Sequence, residues 1–156
     1  MDLFTLLKTL HVIGAAVLLG TGAGIAFFML MAHRTGEARV VAHTAGVVVI
    51  ADAVFTASAV IAQPLTGAGL AMLAGYPIFQ GWIGLSLILY LVTGACWLPV
   101  VWIQLRLRDL ARAAAAAAQP LPDEYRRLFR IWFALGFPAF GAVLATVWLM
   151  IARPAL

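Results

Sequence analysis

Four apolar stretches, near 3–32, 40–62, 79–105 and 126–152, take up almost the whole chain and leave it little choice of fold. Each reaches the roughly 20 residues an α-helix needs to cross the hydrocarbon core of a bilayer. In lipid every backbone N–H and C=O must be satisfied within the protein, so apolar stretches of this length become helices. With 65% of 156 residues hydrophobic and only 10% charged, a water-soluble domain could not hide its apolar surface. The expected fold class is all-α integral membrane: a four-transmembrane-helix antiparallel bundle, with 1–156 forming a single membrane domain and no soluble catalytic module. The first stretch begins Met1-Asp2-Leu3 without a basic leader and is longer than a signal-peptide core, so it reads as a retained helix.

Basic residues set the expected orientation. Arg34 and Arg39 flank the first connection, and Arg106, Arg108, Arg112, Arg126, Arg127 and Arg130 flank the third. The second connection, from Gln63 to Gln80, carries no charge. The positive-inside rule then places connections one and three in the cytoplasm and both termini in the periplasm of a bacterial inner membrane. Eight of the ten basic residues fall on one side, which accounts for the net charge of +4 without invoking nucleic acid. The expected partner is the lipid bilayer, with the arginines as anchors on anionic lipid. A lone cysteine, Cys96, excludes an internal disulfide.

Breakers divide the stretches. Gly36 follows His33-Arg34-Thr35 as a helix stop, and Gln63-Pro64-Leu65-Thr66-Gly67 reads as the end of the second span. A short surface helix is expected before Gly75-Tyr76-Pro77. The alanine run Ala113–Ala118 extends the third span, and Asp123-Glu124 suits the first turn of the fourth. Gly136-Phe137-Pro138 predicts a kink. Ala16, Gly20 and Gly24 recur every four residues, a spacing that admits close helix approach within the bundle or in a homo-oligomer.

The candidate chemistry centres on Asp52, a carboxylate in the middle of an apolar span. Such a charge costs a few kcal/mol and is ordinarily turned inward and paired. Its expected companions are Lys8 and His11 on the first helix. At about 100° per residue, His11, Gly22 and Met29 lie within about 20° of one line, with His33 about 40° away. Asp52, Thr56 and Gln63 share a face of the second span, and His43 points nearly opposite. A second span ending near 62 puts Asp52 at the depth of His11. The pattern suits a haem b with His11 as axial ligand, Asp52 as its orienter or a proton acceptor, Lys8 paired with a carboxylate of the ligand, and Gly22 making room for a flat ring. Asp52 and Lys8 are then the candidate catalytic groups, and Met150 a candidate second ligand. The alternatives are a structural polar pair without cofactor, a proton relay, and copper held by His33 and His43 with Met29 and Met31. Tyr90, Trp97 and Gln104 recur every seven residues and read as a packing stripe.

Leu7-Lys8-Thr9-Leu10-His11-Val12, followed by a glycine-rich run and Met31-Ala32-His33, resembles the opening helix of HemJ-type protoporphyrinogen oxidases. The resemblance implies haem-dependent porphyrin oxidation with electrons passed to the respiratory chain, and only Lys8, His11 and His33 carry over. Leu18-Leu19-Gly20 and Ile25-Ala26-Phe27 stand where HemJ-type chains have aromatic and Pro-Arg positions. Over its full length, including Ala51-Asp52-Ala53-Val54-Phe55-Thr56, Gly94-Ala95-Cys96-Trp97-Leu98-Pro99 and Arg126-Arg127-Leu128-Phe129-Arg130-Ile131-Trp132, the chain more closely resembles an uncharacterised bacterial family of integral membrane proteins. That family loosely resembles the HemJ-type enzymes and the copper-resistance protein D group. The functional expectation is a haem b-binding membrane redox protein acting on a porphyrin or quinone. Its alternatives are an accessory subunit of a larger membrane complex and a copper-handling protein.

Overall fold

The structure is a computed structural model that describes residues 2–155, and among these all the regular secondary structure is helical. Helix α1 runs Leu3–Thr35, α2 Ala38–Ala51, α3 Ala57–Leu73, α4 Gly81–Ala116 and α5 Asp123–Ala152. A π-helical turn, Asp52–Thr56, joins α2 to α3, so Ala38–Leu73 forms one rod. Four helices are thus long and apolar enough to span a membrane. At about 1.5 Å per residue the shortest is about 45 Å, beyond the roughly 30 Å of hydrocarbon.

Local chemistry fixes the ends. Asp2 caps α1, its Oδ1 accepting from the Thr5 N–H at 2.7 Å, and these bonds hold its carboxyl below the usual carboxylate range. Gly36 ends the helix at φ +70°, a backbone state that favours glycine, and its N–H donates to His33 O. Pro122 precedes α5, whose first turn carries Asp123 and Glu124 as expected.

The second span does not end near 62. It continues through Pro64 to Leu73, and the anticipated surface helix is simply its last turns. Proline removes one donor, leaving the carbonyl four residues earlier without its partner. That carbonyl belongs to Val60, and Tyr90 of α4 donates its hydroxyl to it at 2.8 Å. A proline in a membrane helix is tolerated where a neighbour satisfies the freed group, as here.

Helix α1 packs antiparallel along the α2–α3 rod, α4 along α5, and α2 along α4. The buried apolar core lies towards the end bearing the arginines. It includes Met29, Val41, Leu107, Tyr125, Phe129 and Trp132. Arg106 bridges α4 to α5 there through Glu124, at 2.9 Å. Towards the end carrying both termini, α1 with α3 and α4 with α5 form two pairs that touch far less. The small-residue stripe on α1 is not a packing seam within the bundle. A β-carbon added at Gly20 or Gly22 meets nothing within 4 Å, and one at Gly24 meets only Phe28 of the same helix.

Candidate functional site

The buried face of the α2–α3 rod changes character along its length. Val41, Ala45 and Val48 give way to Asp52, Thr56, Gln63 and Thr66, with Ala59 between. The change begins at the π-helical turn, where the Ala57 N–H reaches back five residues to Asp52 O. Such turns insert one residue into a helix and often mark functional positions. Two polar groups result, at different depths.

The deeper group surrounds Asp52, whose side chain is buried at 5% exposure. Trp97 Nε1 donates to both carboxylate oxygens, at 3.3 and 3.2 Å. The Gln104 amide, in the orientation that satisfies both of its neighbours, donates to Asp52 Oδ2 and accepts from Trp132 Nε1, each at 3.3 Å. The stripe read as packing is thus a polar ladder. Tyr90, Trp97 and Gln104 all turn to the α2–α3 rod and serve a proline-freed carbonyl and a buried acid. Thr56 Oγ1, one turn from Asp52, is buried without a hydrogen-bond partner among the described residues.

The second group holds His11. Thr66 Oγ1 donates its single proton to Ala62 O at 2.7 Å, and lies 2.9 Å from His11 Nδ1. With the hydroxyl proton on Ala62 O, Nδ1–H donates to Thr66 and the ring's lone pair lies on Nε2; with that proton turned to Nδ1 the two ring nitrogens exchange roles. Gln63 Nε2 donates to His11 O at 2.8 Å. Close approach makes this geometry possible. A β-carbon at Gly67 would come within 3.1 Å of His11 Cε1, and one at Gly14 would collide with the Gln63 amide.

The expected convergence of Lys8, His11 and Asp52 does not occur. Thr66 faces His11, and Asp52 precedes Thr66 by fourteen residues, about 21 Å along the rod. The expectation failed because the rod runs eleven residues past 62, which lowers Asp52 by about 16 Å relative to the helix end. Lys8 is exposed and makes no hydrogen bond or ion pair among the described residues. The orienter of His11 is Thr66, not Asp52. Gly22, in the phase of His11, borders open space.

The residues of the expected copper group stand in different surroundings. The His33 ring stacks on Phe129 at 3.7 Å between centroids and lies against Tyr125, whereas His43 lies in a groove with Gly46 and Arg112. Met29 is fully buried core. Among the described residues no three His, Cys, Asp or Glu side chains converge as a metal cage.

The profile described as "Predicted integral membrane protein (DUF2269)" matches residues 5–154, so the chain belongs to that family. No curated protein and no solved structure matches it.

Proposed function

Starting from that membership, we propose that this multi-pass membrane protein is a haem b-binding redox protein, lying in a bacterial inner membrane with both termini periplasmic. The observation that carries the reading is the 2.9 Å contact between His11 Nδ1 and Thr66 Oγ1, a hydroxyl that also reaches Ala62 O. A histidine that ligates a metal through one nitrogen donates its other N–H to an oxygen, which fixes the ring's orientation. In the tautomer that leaves the Thr66 proton on Ala62 O, His11 donates Nδ1–H to Thr66 and carries its lone pair on Nε2. An imidazole held in this way is the kind of axial donor that a haem b uses.

The residues divide the work simply. His11 Nε2 would hold the iron, and Thr66 fixes the plane in which the imidazole stands. Gln63 pins the backbone at His11, with Gly14 and Gly67 supplying the clearance. Lys8 precedes His11 by one turn near the end carrying both termini, where its ammonium can pair with a carboxylate of the ligand. The haem supplies one-electron transfer. Its partner would be a lipid-soluble quinone or a porphyrin that enters from the bilayer.

The test is haem content of detergent-purified protein from haem-replete cells, measured as the pyridine haemochrome. The reading requires near-stoichiometric haem b, lost in His11→Ala and retained in His33→Ala and His43→Ala. Haem-free wild-type protein would refute it.

A further inference from the structure

Helix α4 carries three arginines near its last turns, and two of them are already paired. Arg106 meets Glu124 at 2.9 Å and Arg108 meets Asp109 at 2.8 Å. Arg112 is exposed and has no hydrogen-bonding or ionic partner among the described residues. Its guanidinium crosses to α2 and lies over Gly46, where a β-carbon would stand 3.3 Å from Nη2. Glycine at 46 leaves room for the charge to rest against the rod.

Arg112 and His43 head a shallow groove of about 350 Å³ on the outside of the bundle, floored by Gly46, Val47 and Ile50. Among its described lining residues none is acidic. Val47 and Ile50 are exposed, as apolar residues facing lipid are. The Ala38–Leu73 rod has 36 residues, about 54 Å, so centring it on roughly 30 Å of hydrocarbon leaves about 12 Å at each end. Gly46 lies eight residues, about 12 Å, from Ala38. Arg112 and His43 therefore stand at the boundary where lipid phosphates lie, with Val47 and Ile50 turned to the acyl region.

Towards mid-membrane the same side of the rod continues through Ala53 and Ala57, at three- and four-residue spacing from Ile50. These alanines line a second cavity, of about 290 Å³, between the rod and α4. Trp97 and Gln104 engage the Asp52 oxygens, so the wall of this cavity is almost entirely apolar. From Gly46 to Ala57 is about 16 Å, close to the roughly 15 Å of hydrocarbon in one leaflet.

We infer that the groove between α2 and α4 binds one phospholipid of net negative charge, in the leaflet at the arginine-bearing end. Arg112 holds the phosphate, His43 hydrogen-bonds it, and one acyl chain lies along Ile50 and Ala53 into the apolar cavity. A guanidinium presents its N–H groups in the fork geometry that phosphate oxygens match. Because no carboxylate lines the groove, nothing there receives the ammonium of a zwitterionic headgroup. The site needs neither His11 nor haem.

The test is native mass spectrometry of the full chain, released from detergent micelles titrated with phosphatidylglycerol, phosphatidylcholine or glycerophosphoglycerol. One phosphatidylglycerol per chain should be retained, about fivefold or more tightly than phosphatidylcholine. Glycerophosphoglycerol has the same phosphodiester without acyl chains and should neither bind nor compete. Arg112→Ala should weaken retention by about fivefold or more, and Arg112→Lys should recover part of the loss. Arg127→Ala removes the same charge from α5, at the same end but outside the groove, and should change retention by about twofold or less. Ala53→Trp blocks the acyl path without touching the charge and should also weaken retention. All three positions are exposed, so the variants leave the core intact. Equal retention of the two lipids, equal losses in Arg112→Ala and Arg127→Ala, binding of glycerophosphoglycerol, or indifference to Ala53→Trp would overturn the inference.

Discussion

Tyr90→Phe should destabilise the protein only because Pro64 is present. The hydroxyl of Tyr90 donates at 2.8 Å to Val60 O, the carbonyl that Pro64 leaves without its helical donor. Single hydrogen bonds between membrane helices average about 0.6 kcal/mol and reach about 1.7, because an unfolded helix in lipid finds other partners. An orphaned buried carbonyl costs about 1–3 kcal/mol. Val60 O has lost its internal donor, so the upper part of the first range applies and the expected cost is about 1.5 kcal/mol. In a Pro64→Ala background the alanine N–H can reach Val60 O, and the same Tyr90→Phe change should cost about 0.5 kcal/mol or less. The coupling energy is then about 1 kcal/mol, well inside the range seen for groups that share a partner. The assay is reversible unfolding in mixed micelles, applied to the wild type, both single variants and the double variant. A coupling energy indistinguishable from zero would refute the argument that Tyr90 compensates for the proline.

Four further outcomes follow from the packing. Thr66→Val removes the acceptor that holds Nδ1–H of His11 and should weaken haem retention by about 10- to 100-fold, the usual effect of losing the partner of a ligating histidine; a haem titration measures it. Gly14→Ala drives the Gln63 amide off His11 O and should cost about 1–3 kcal/mol of stability in the same micelle assay. Phe129→Ala opens a cavity in the buried core beneath His33 and should cost about 3–5 kcal/mol, the largest loss among these variants. Arg106→Ala breaks an ion pair whose partners are both largely solvent-exposed, and its effect should stay below about 1 kcal/mol and fade with added salt.

The spans were readable because length and composition alone decide them: about 20 apolar residues in lipid have no alternative to helix. The end of the second span was not readable, because Pro64 and Gly67 carry the same stop signal whether or not a neighbour repairs the backbone. The repairing group, Tyr90, lies thirty residues away on another helix. That single misplacement carried the site with it. With the rod cut at 62, Asp52 counts to the level of His11; with the rod complete, it counts to the middle of the bundle. Thr66 could have been found by continuing the Asp52, Thr56, Gln63 face through the proline, since it falls three residues beyond Gln63. The seven-residue recurrence of Tyr90, Trp97 and Gln104 was visible. Its polar purpose was hidden, because one face of aromatic and amide side chains looks the same whether it packs on methyls or bonds to an acid.

The most direct test is the optical spectrum of purified protein in three forms: wild type, His11→Gly, and His11→Gly with added imidazole. The wild type should show a Soret band that shifts on reduction. The glycine variant should lose it, and free imidazole entering the vacated space beside Thr66 should restore it. A wild-type spectrum without a Soret band, or a band indifferent to His11→Gly, would contradict the account.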